Sequence, residues 1–508
     1  MFIAALDQTI IATAIPTITA SLKSAAGYTW LGGAYLLANA IAGPLWTKGS
    51  DIWGRKLTLL AAVALFAAAS LIAALATTTR MLIAARALQG TAGGGLFQLV
   101  AVTISDLFSI RERALYFGFM GDVWAVAGSA GPLLGGALAE KASWRYCFWI
   151  NLPGCGLSFI LLLVFLDVHN PRTKLKQGLG VIDWYGTACF LAFSALVLLG
   201  LNFGGGAFAW NSATVVCLLV VGSCMVGLTR YSERRLAQYP LMPMHIFKKL
   251  SNNAVILTAV GHSMISIGTE FYLPLYFQSV KQASPLRSGI LLLPLICTAA
   301  ITDIAAGILI HRTGRYKEFI ICGVLLMTLG TGLCINLGTD TSLPEVIGFH
   351  IISGAGIALL FQTPMLAIHN TVAQSDVASA GSTLGFLRAL ATSVSVVLGG
   401  VVFQNSMNTQ HSALVGAGLD PSTLDALSGD TAAANVDIVK TVGNALQKRA
   451  IKEAFAFSIR NIFIMYTSIA GMTVIASLFV KQRHMSTEHT ETKTGIDNMS
   501  KRRVEEMS

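Results

Sequence analysis

The sequence predicts an all-α polytopic membrane protein, built as two six-helix bundles with two further helices inserted between them. Three observations carry that expectation. Of 508 residues, 54% are hydrophobic and only 12% are charged, with a mean hydropathy of +0.66, which is the composition of a chain immersed in lipid. Apolar segments of helix length alternate with short basic connections along the whole chain. Features of the first part return in the second at an offset of about 260 residues, as in carriers built from internal repeats.

The elements follow in order. Span 1, residues 1–20, is apolar around Asp7, Gln8 and Pro16. It has no basic flank and no cleavage site of a signal peptide, so part of the span is expected to lie upstream of Met1. Spans 2 to 6 are expected near 28–47, 57–77, 81–104, 118–139 and 147–168. Spans 7 and 8 fit 184–203 and 212–230, and spans 9 to 13 fit 253–279, 289–310, 319–338, 345–368 and 377–403. A polar stretch, 404–458, precedes span 14 at 460–480. The domains are therefore a bundle over 1–168, an inserted pair with a basic loop over 169–252, a second bundle over 253–480, and a charged tail, 481–508, expected to be disordered.

Charge fixes the expected topology. Lys48, Arg55 and Lys56, then Arg111 and Arg113, then Arg172, Lys174 and Lys176, then the 230–249 loop, then Arg312, Arg315 and Lys317 all follow even-numbered spans. Both termini are thus expected in the cytoplasm and 404–458 outside. This distribution also accounts for the net charge of +10 without nucleic acid as a partner. In the outer segment, Val436, Val439, Val442, Leu446, Ile451 and Phe455 suggest an amphipathic surface helix. That segment holds no Asn-x-Ser/Thr triplet; the one in the chain, Asn498-Met499-Ser500, falls in the tail. The eight cysteines lack metal or redox spacing and read as small packing residues.

The repeat is specific. Asp51-Ile52-Trp53-Gly54-Arg55-Lys56 follows span 2, and His311-Arg312-Thr313-Gly314-Arg315 follows span 10. Gly93-Gly94-Gly95 in span 4 matches Gly354-Ala355-Gly356 in span 12, and Gly135-Gly136 matches Gly399-Gly400 in span 13.

The stretch Gly118–Ala139 is unusual for its glycines. Gly121, Ala125, Gly128, Pro132, Gly135 and Ala139 fall on one helical stripe, a surface on which another helix backbone can approach closely. It contains Gly131-Pro132-Leu133-Leu134-Gly135-Gly136. To this are added Leu6-Asp7-Gln8-Thr9-Ile10 with Pro16, Ser50-Asp51 with Gly54-Arg55-Lys56, Arg86-Ala87-Leu88-Gln89-Gly90, Trp144-Arg145 before Ile150-Asn151-Leu152-Pro153, and Tyr276-Phe277-Gln278 before Ser288-Gly289. In this order the motifs resemble the fourteen-span drug:proton antiporters of the major facilitator superfamily, over nearly the whole chain. One departure is Gly49 with Thr47 where the family has Gly and Leu at the start of its loop after span 2, and it is expected to loosen that hinge.

The resemblance implies an exporter that alternates access between two halves. Charges at membrane depth are expensive and therefore functional candidates. Asp7 and Arg86 are expected to form or exchange an ion pair that couples transport to protons, against the alternative of a static brace. Asp122 is expected to face Asp7 or Arg86. Glu270 is expected to be either a substrate-facing carboxylate or an acid near the outer interface. Asp303, part of no recognised motif, is expected to be either a functional acid or a cavity acid paired with a neighbouring polar group, with Arg388 as partner of Glu270 or Asp303. His262 and His350 read as hydrogen-bonded core histidines. By resemblance, Asp51 caps a neighbouring helix end and Arg55 pairs with Asp106, so that Asp51, Gly54, Arg55, Lys56 and Asp106 form a gating loop. Gly128, Gly131, Pro132, Gly135 and Gly136 form the antiporter helix motif, with Gly128 and Gly131 both in the contact.

No nucleotide-binding loop is present, and no cofactor, metal or enzymatic activity is expected. The expected function is proton-driven export of drugs, toxins or secondary metabolites by a monomer in the plasma membrane, with the vacuolar membrane as an alternative. The rivals are a proton-coupled importer of iron chelates, a vacuolar carrier of basic amino acids, or a sensor on a transporter scaffold.

Overall fold

In a computed structural model, the structure describes residues 1–22, 27–205, 208–235, 241–242, 244–428, 432–433, 435–436, 438–488 and 494–495. The triplet at Asn498, residues 236–240 of the basic loop and the rest of the tail lie outside them.

Fourteen long helices account for the expected spans. They are α1 (Phe2–Ser21), α2 (Gly27–Trp53), α3 (Arg55–Ala74), α4 (Thr79–Leu107), α5 (Ile110–Lys141), α6 (Asn151–Phe165), α7 (Trp184–Phe203) and α8 (Ala213–Arg235). The second series is α9 (Leu250–Ser279), α10 (Pro285–Thr313), α11 (Lys317–Leu333), α12 (Leu343–Leu359), α13 (Val377–Thr409) and α14 (Ala445–Leu478). A short helix, Tyr146–Trp149, precedes α6, and Thr363–His369 continues α12 after a break. Among the described residues eleven helices are long and apolar enough to cross a membrane. The protein is an integral, multi-pass, all-α membrane protein.

Caps and glycines explain why these helices start, stop and meet where they do. Ser109 and Glu112 close a reciprocal capping box on α5, and Ser342 and Glu345 do the same for α12, satisfying backbone donors that lipid cannot. The glycines of α4 let it lie directly on α2. A Cβ on Gly90 would strike the Tyr35 carbonyl, one on Gly94 the Asn39 carbonyl, and one on Gly95 the Trp46 ring. The second half repeats this contact: Gly354 of α12 meets the Leu295 carbonyl of α10, and Gly356 the Met327 backbone of α11. The internal repeat in sequence is thus a repeat of backbone approach.

The inserted pair, α7 and α8, packs on itself, and α7 also lies against α2 and α13. Phe190 of α7 meets Phe386 of α13 with ring centroids 4.9 Å apart.

The two halves touch near one face, which carries the Lys- and Arg-rich connections and is called the basic face. On α5 and α10, a Cβ on Gly307 would lie 2.8 Å from the Ala114 carbonyl, and one on Gly118 would lie 3.3 Å from the Asp303 carbonyl. Arg111 donates to the His311 carbonyl at 2.5 Å and to the Arg312 carbonyl, at the end of α10. Arg113 donates to Gln374 at 3.0 Å, and Gln374 donates back to the Ser105 carbonyl at 3.1 Å. Gln98 of α4 fills the space over Gly385 of α13. Beyond Gly121 the contact ends: a Cβ added at Gly128 or Gly136 on α5, or at Gly289 on α10, would meet nothing within 4 Å. The halves are joined at the basic face, and these glycines beyond Gly121 carry no contact between them.

The structure corrects several expectations. Thr47 and Gly49 are not in a loop, because α2 continues to Trp53; the break is at Gly54, whose φ of +90° suits glycine alone. The segment between α13 and α14 is shorter than 404–458, since α13 reaches Thr409 and α14 starts at Ala445. Its expected amphipathic helix does not form as one piece. Val439 lies in a short helix, Ile438–Thr441, Leu446 is 75% exposed, and Ile451 and Phe455 are core residues of α14. Asn444 accepts from the Leu446 N–H and starts α14 there. The first part of the tail is docked, not disordered. Gln482 accepts from the free N–H groups of Tyr316 and Lys317 at 3.2 and 3.0 Å, and Met485 is buried. Of the cysteines, Cys147, Cys155 and Cys334 are buried, whereas Cys217, Cys224, Cys297 and Cys322 are on exposed helix faces.

Candidate functional site: a sealed ion pair and an acidic seam

Asp7 and Arg86 meet inside the first half. Arg86 Nη1 lies 2.5 Å from Asp7 Oδ2, and their side chains are 1% and 0% exposed. Asn151 donates to Asp7 Oδ1 at 2.6 Å and Gln89 donates to the same oxygen at 3.2 Å. Ser70 accepts from Gln89 at 2.8 Å. Arg86 donates its Nε–H to the Leu31 carbonyl at 3.0 Å, and its guanidinium lies 4.3 Å from the Tyr35 ring centroid. One carboxylate therefore ties α1, α3, α4 and α6, with α2 beneath the guanidinium. Gln89 and Asn151 are visible in the sequence as polar residues in apolar runs. Ser70 and Tyr35 are not, since nothing in the chain singles them out.

The second half holds a contrasting copy. His350 lies seven residues into α12, as Arg86 does in α4, and its Nδ1 faces the Leu291 carbonyl of α10 at 3.1 Å. Its Nε2 and the Ser353 hydroxyl have no hydrogen-bond partner among the described residues. His262 is hydrogen-bonded, with Nε2 2.9 Å from the Ile357 carbonyl.

At the seam, Asp303 of α10 is buried, and a Cβ on Gly121 of α5 would land on its carboxylate. Asp122, next along, stands close enough for the two acids to act on one another, and its Oδ1 is buried without a partner. Asp122 has no hydrogen bond or ion pair with Asp7 or Arg86 among the described residues, contrary to expectation, because at its height α5 packs through Gly121 on α10 of the other half. Nor is Arg388 in an ion pair with Glu270 or Asp303 among the described residues. Its guanidinium donates to Ser263 Oγ at 3.0 Å, to the Phe361 carbonyl at 2.8 Å and to His262 Nδ1 at 3.3 Å. Glu270 is bonded to Ser266, one turn earlier on α9.

The gating residues are assembled at the end of α2. Arg55 donates to Asp106 Oδ2 and to Asp51 Oδ1, both at 2.6 Å, and to Ser50 Oγ at 2.5 Å. Asp51 thus serves Arg55 instead of capping a neighbouring helix. Gly54 is buried against Pro171, which a Cβ would reach at 2.8 Å. Lys56 is half-buried beside this latch.

The antiporter motif splits. Gly131 and Gly135 seat α5 on α1, where a Cβ would strike Thr9 and the Ile10 carbonyl respectively. Thr9 donates to the Ala127 carbonyl at 2.9 Å and Thr13 to the Pro132 carbonyl at 3.2 Å. Gly128 and Gly136 face open space. The stripe inferred with Gly128 in the contact is displaced by one turn, because α5 meets α1 through Gly131 and Gly135 and α10 through Gly118 and Gly121. Gly399 repeats the Gly135 role, lying on Tyr272 of α9.

The comparisons agree with this geometry. The sequence profile of the Major Facilitator Superfamily matches residues 1–400. The MFS-type transporter ppz2 of Metarhizium majus is 41% identical over 98% of this chain and 85% of its own length. The efflux pump dotC of Dothistroma septosporum is 40% identical over 99% of this chain and 86% of its own. Among solved structures, the human organic anion transporter MFSD10 superposes with a TM-score of 0.59 over 94% of this chain and 97% of that one, at 15% identity, a likeness of fold alone. Two helix bundles related by an internal repeat, joined to a family match over residues 1–400 and to relatives of this similarity over their length, make the chain a member of the Major Facilitator Superfamily and a transporter, not an enzyme.

Proposed function

We propose that the chain exports small organic molecules, such as drugs, toxins or secondary metabolites, in exchange for protons. It works as a monomer in the plasma membrane with its basic face in the cytoplasm. The observation that carries this reading is the sealed Asp7 carboxylate holding Arg86. Arg86 lies seven residues from the start of α4, about 10 Å from the outer end of that helix, so a proton arriving from outside reaches this pair before the seam. Protonating Asp7 removes the charge that holds Arg86 and loosens the joint of α1, α4 and α6. Inward movement of the proton supplies about 2.3 kcal/mol per charge per 100 mV. The relatives named as efflux pumps support the outward direction.

A second acid is favoured by its position. Asp303 lies where the halves must separate, so rocking uncovers it, whereas Asp7 is internal to one half. Everted vesicles with an imposed pH gradient test both. Asp7→Asn is expected to insert normally and to lose gradient-driven dye accumulation, and accumulation at the wild-type rate would transfer coupling to Asp303. Gradient-driven loss of substrate from the same vesicles would establish an importer of iron chelates or basic amino acids instead.

A further inference from the structure

The two halves each carry one arginine at membrane depth, and the two are treated differently. Arg86 is neutralised by Asp7 and enclosed. Arg388 is braced by three neutral acceptors, the Ser263 hydroxyl, the Phe361 carbonyl and His262. His262 adds no negative charge. Arginine always donates, so Nδ1 is the lone-pair nitrogen, and the Ile357 carbonyl takes the hydrogen on Nε2. Asp303 acts on Arg388 through space, but its carboxylate lies against Gly121 of the other half and forms no ion pair with Arg388 among the described residues. Three of the five guanidinium N–H donors are used. One remains on each terminal nitrogen, the number that a carboxylate accepts with its two oxygens.

The position suits a ligand. Gly385, three residues earlier on α13, is where Gln98 of the first half closes the seam. Arg388 is therefore about 4.5 Å beyond that contact along α13, farther from the basic face. It is half-buried, and its guanidinium lies 5.3 Å from the Phe361 ring centroid. A buried guanidinium with no carboxylate directly on its N–H groups is under-coordinated at this depth, and an anion from solution completes it.

We infer that Arg388 is the anchor for an acidic group of the substrate, and that the carrier's preferred cargo is an aromatic or otherwise apolar molecule bearing a carboxylate or an acidic hydroxyl. The aromatic body lies along Phe361 and the acid takes the two free N–H donors. This names a substrate class for the proposed exporter and rests on that reading for the direction of transport, but binding tests it separately.

The experiment compares 1-naphthoate with the equally shaped, uncharged 1-naphthamide by their effect on the thermal unfolding of the purified full chain in detergent. Naphthoate is expected to bind at least tenfold more tightly than naphthamide. That preference is expected to collapse in Arg388→Gln and to persist, reduced, in Arg388→Lys, with both variants eluting as the native protein in size-exclusion chromatography. Equal binding of acid and amide by the native chain, binding of neither, or an acid preference retained in Arg388→Gln each overturns the assignment. Gradient-driven efflux of a neutral dye measured alongside judges the export reading independently, so failure of one leaves the other standing.

Discussion

At the scale of single residues, the chain separates charges that brace from charges that face the seam. Asp7 accepts from Arg86, Gln89 and Asn151, so every donor around it is committed. Arg86→Ala strands that carboxylate in a dry site, and breaking a buried pair from one side costs about 3–5 kcal/mol. Arg86→Ala is therefore expected to lower yield and unfolding temperature well below those of Asp7→Asn, which keeps the shape and removes only the charge. Thermal unfolding of the two purified variants checks this, and equal stability would show that the pair is not structural. Gly121→Val acts at the seam. Its branched side chain must displace the Asp303 carboxylate, so closure at the basic face should weaken while each half stays folded. Spin labels placed on the basic ends of α5 and α10 should report a longer distance.

At the scale of helices, α5 uses its glycines for two different neighbours. Gly131→Leu must push α5 off α1, where Thr9 and Ile10 lie against it, and overpacking of this kind costs about 1–3 kcal/mol. Gly128→Leu meets nothing within 4 Å and is expected to leave stability and transport near normal. Parallel expression and dye-efflux measurements on the two variants decide it, and equal damage would defeat the contact assigned to Gly131. Pro132→Ala is expected to be milder than Gly131→Leu, because the Thr13 bond goes to the Pro132 carbonyl, which alanine keeps. The glycine content of α5 was legible in the chain, but which glycines bear the contact was not. Helical periodicity places Gly121, Gly128 and Gly135 on one stripe, yet a long helix crossing two neighbours at different heights presents different residues to each.

At the scale of the molecule, Arg111 ties the two halves at the basic face, and Arg55 fixes the end of the first half beside that tie. Arg55 joins α3 to α2 and α4 through Asp51 and Asp106, and Arg111 reaches the carbonyl end of α10, where a cation is favoured. Arg55→Ala leaves two carboxylates unpaired, and Arg111→Ala removes one of the ties between the two halves. Both are expected to shift the population toward opening at the basic face without unfolding. Labelling of a cysteine introduced at Ala114, under the seam, should become several-fold faster in each, and unchanged labelling would remove these residues from the gate.

The sequence by itself determined the membrane class, the fourteen helices, the repeat and the pairing of Asp7 with Arg86 and of Arg55 with Asp106. These follow from composition, from apolar length and from motifs whose partners lie at fixed places in a known family. The tertiary structure alone decided that Asp122 does not bond Asp7 or Arg86, that Arg388 has no ion pair among the described residues, that Ser70 and Tyr35 complete the first network, and that the tail docks through Gln482. The physical reason is common to all four. Hydropathy and helical period state which residues share a face, but not the height and angle at which two helices cross, and at membrane depth a shift of one turn exchanges one polar partner for another.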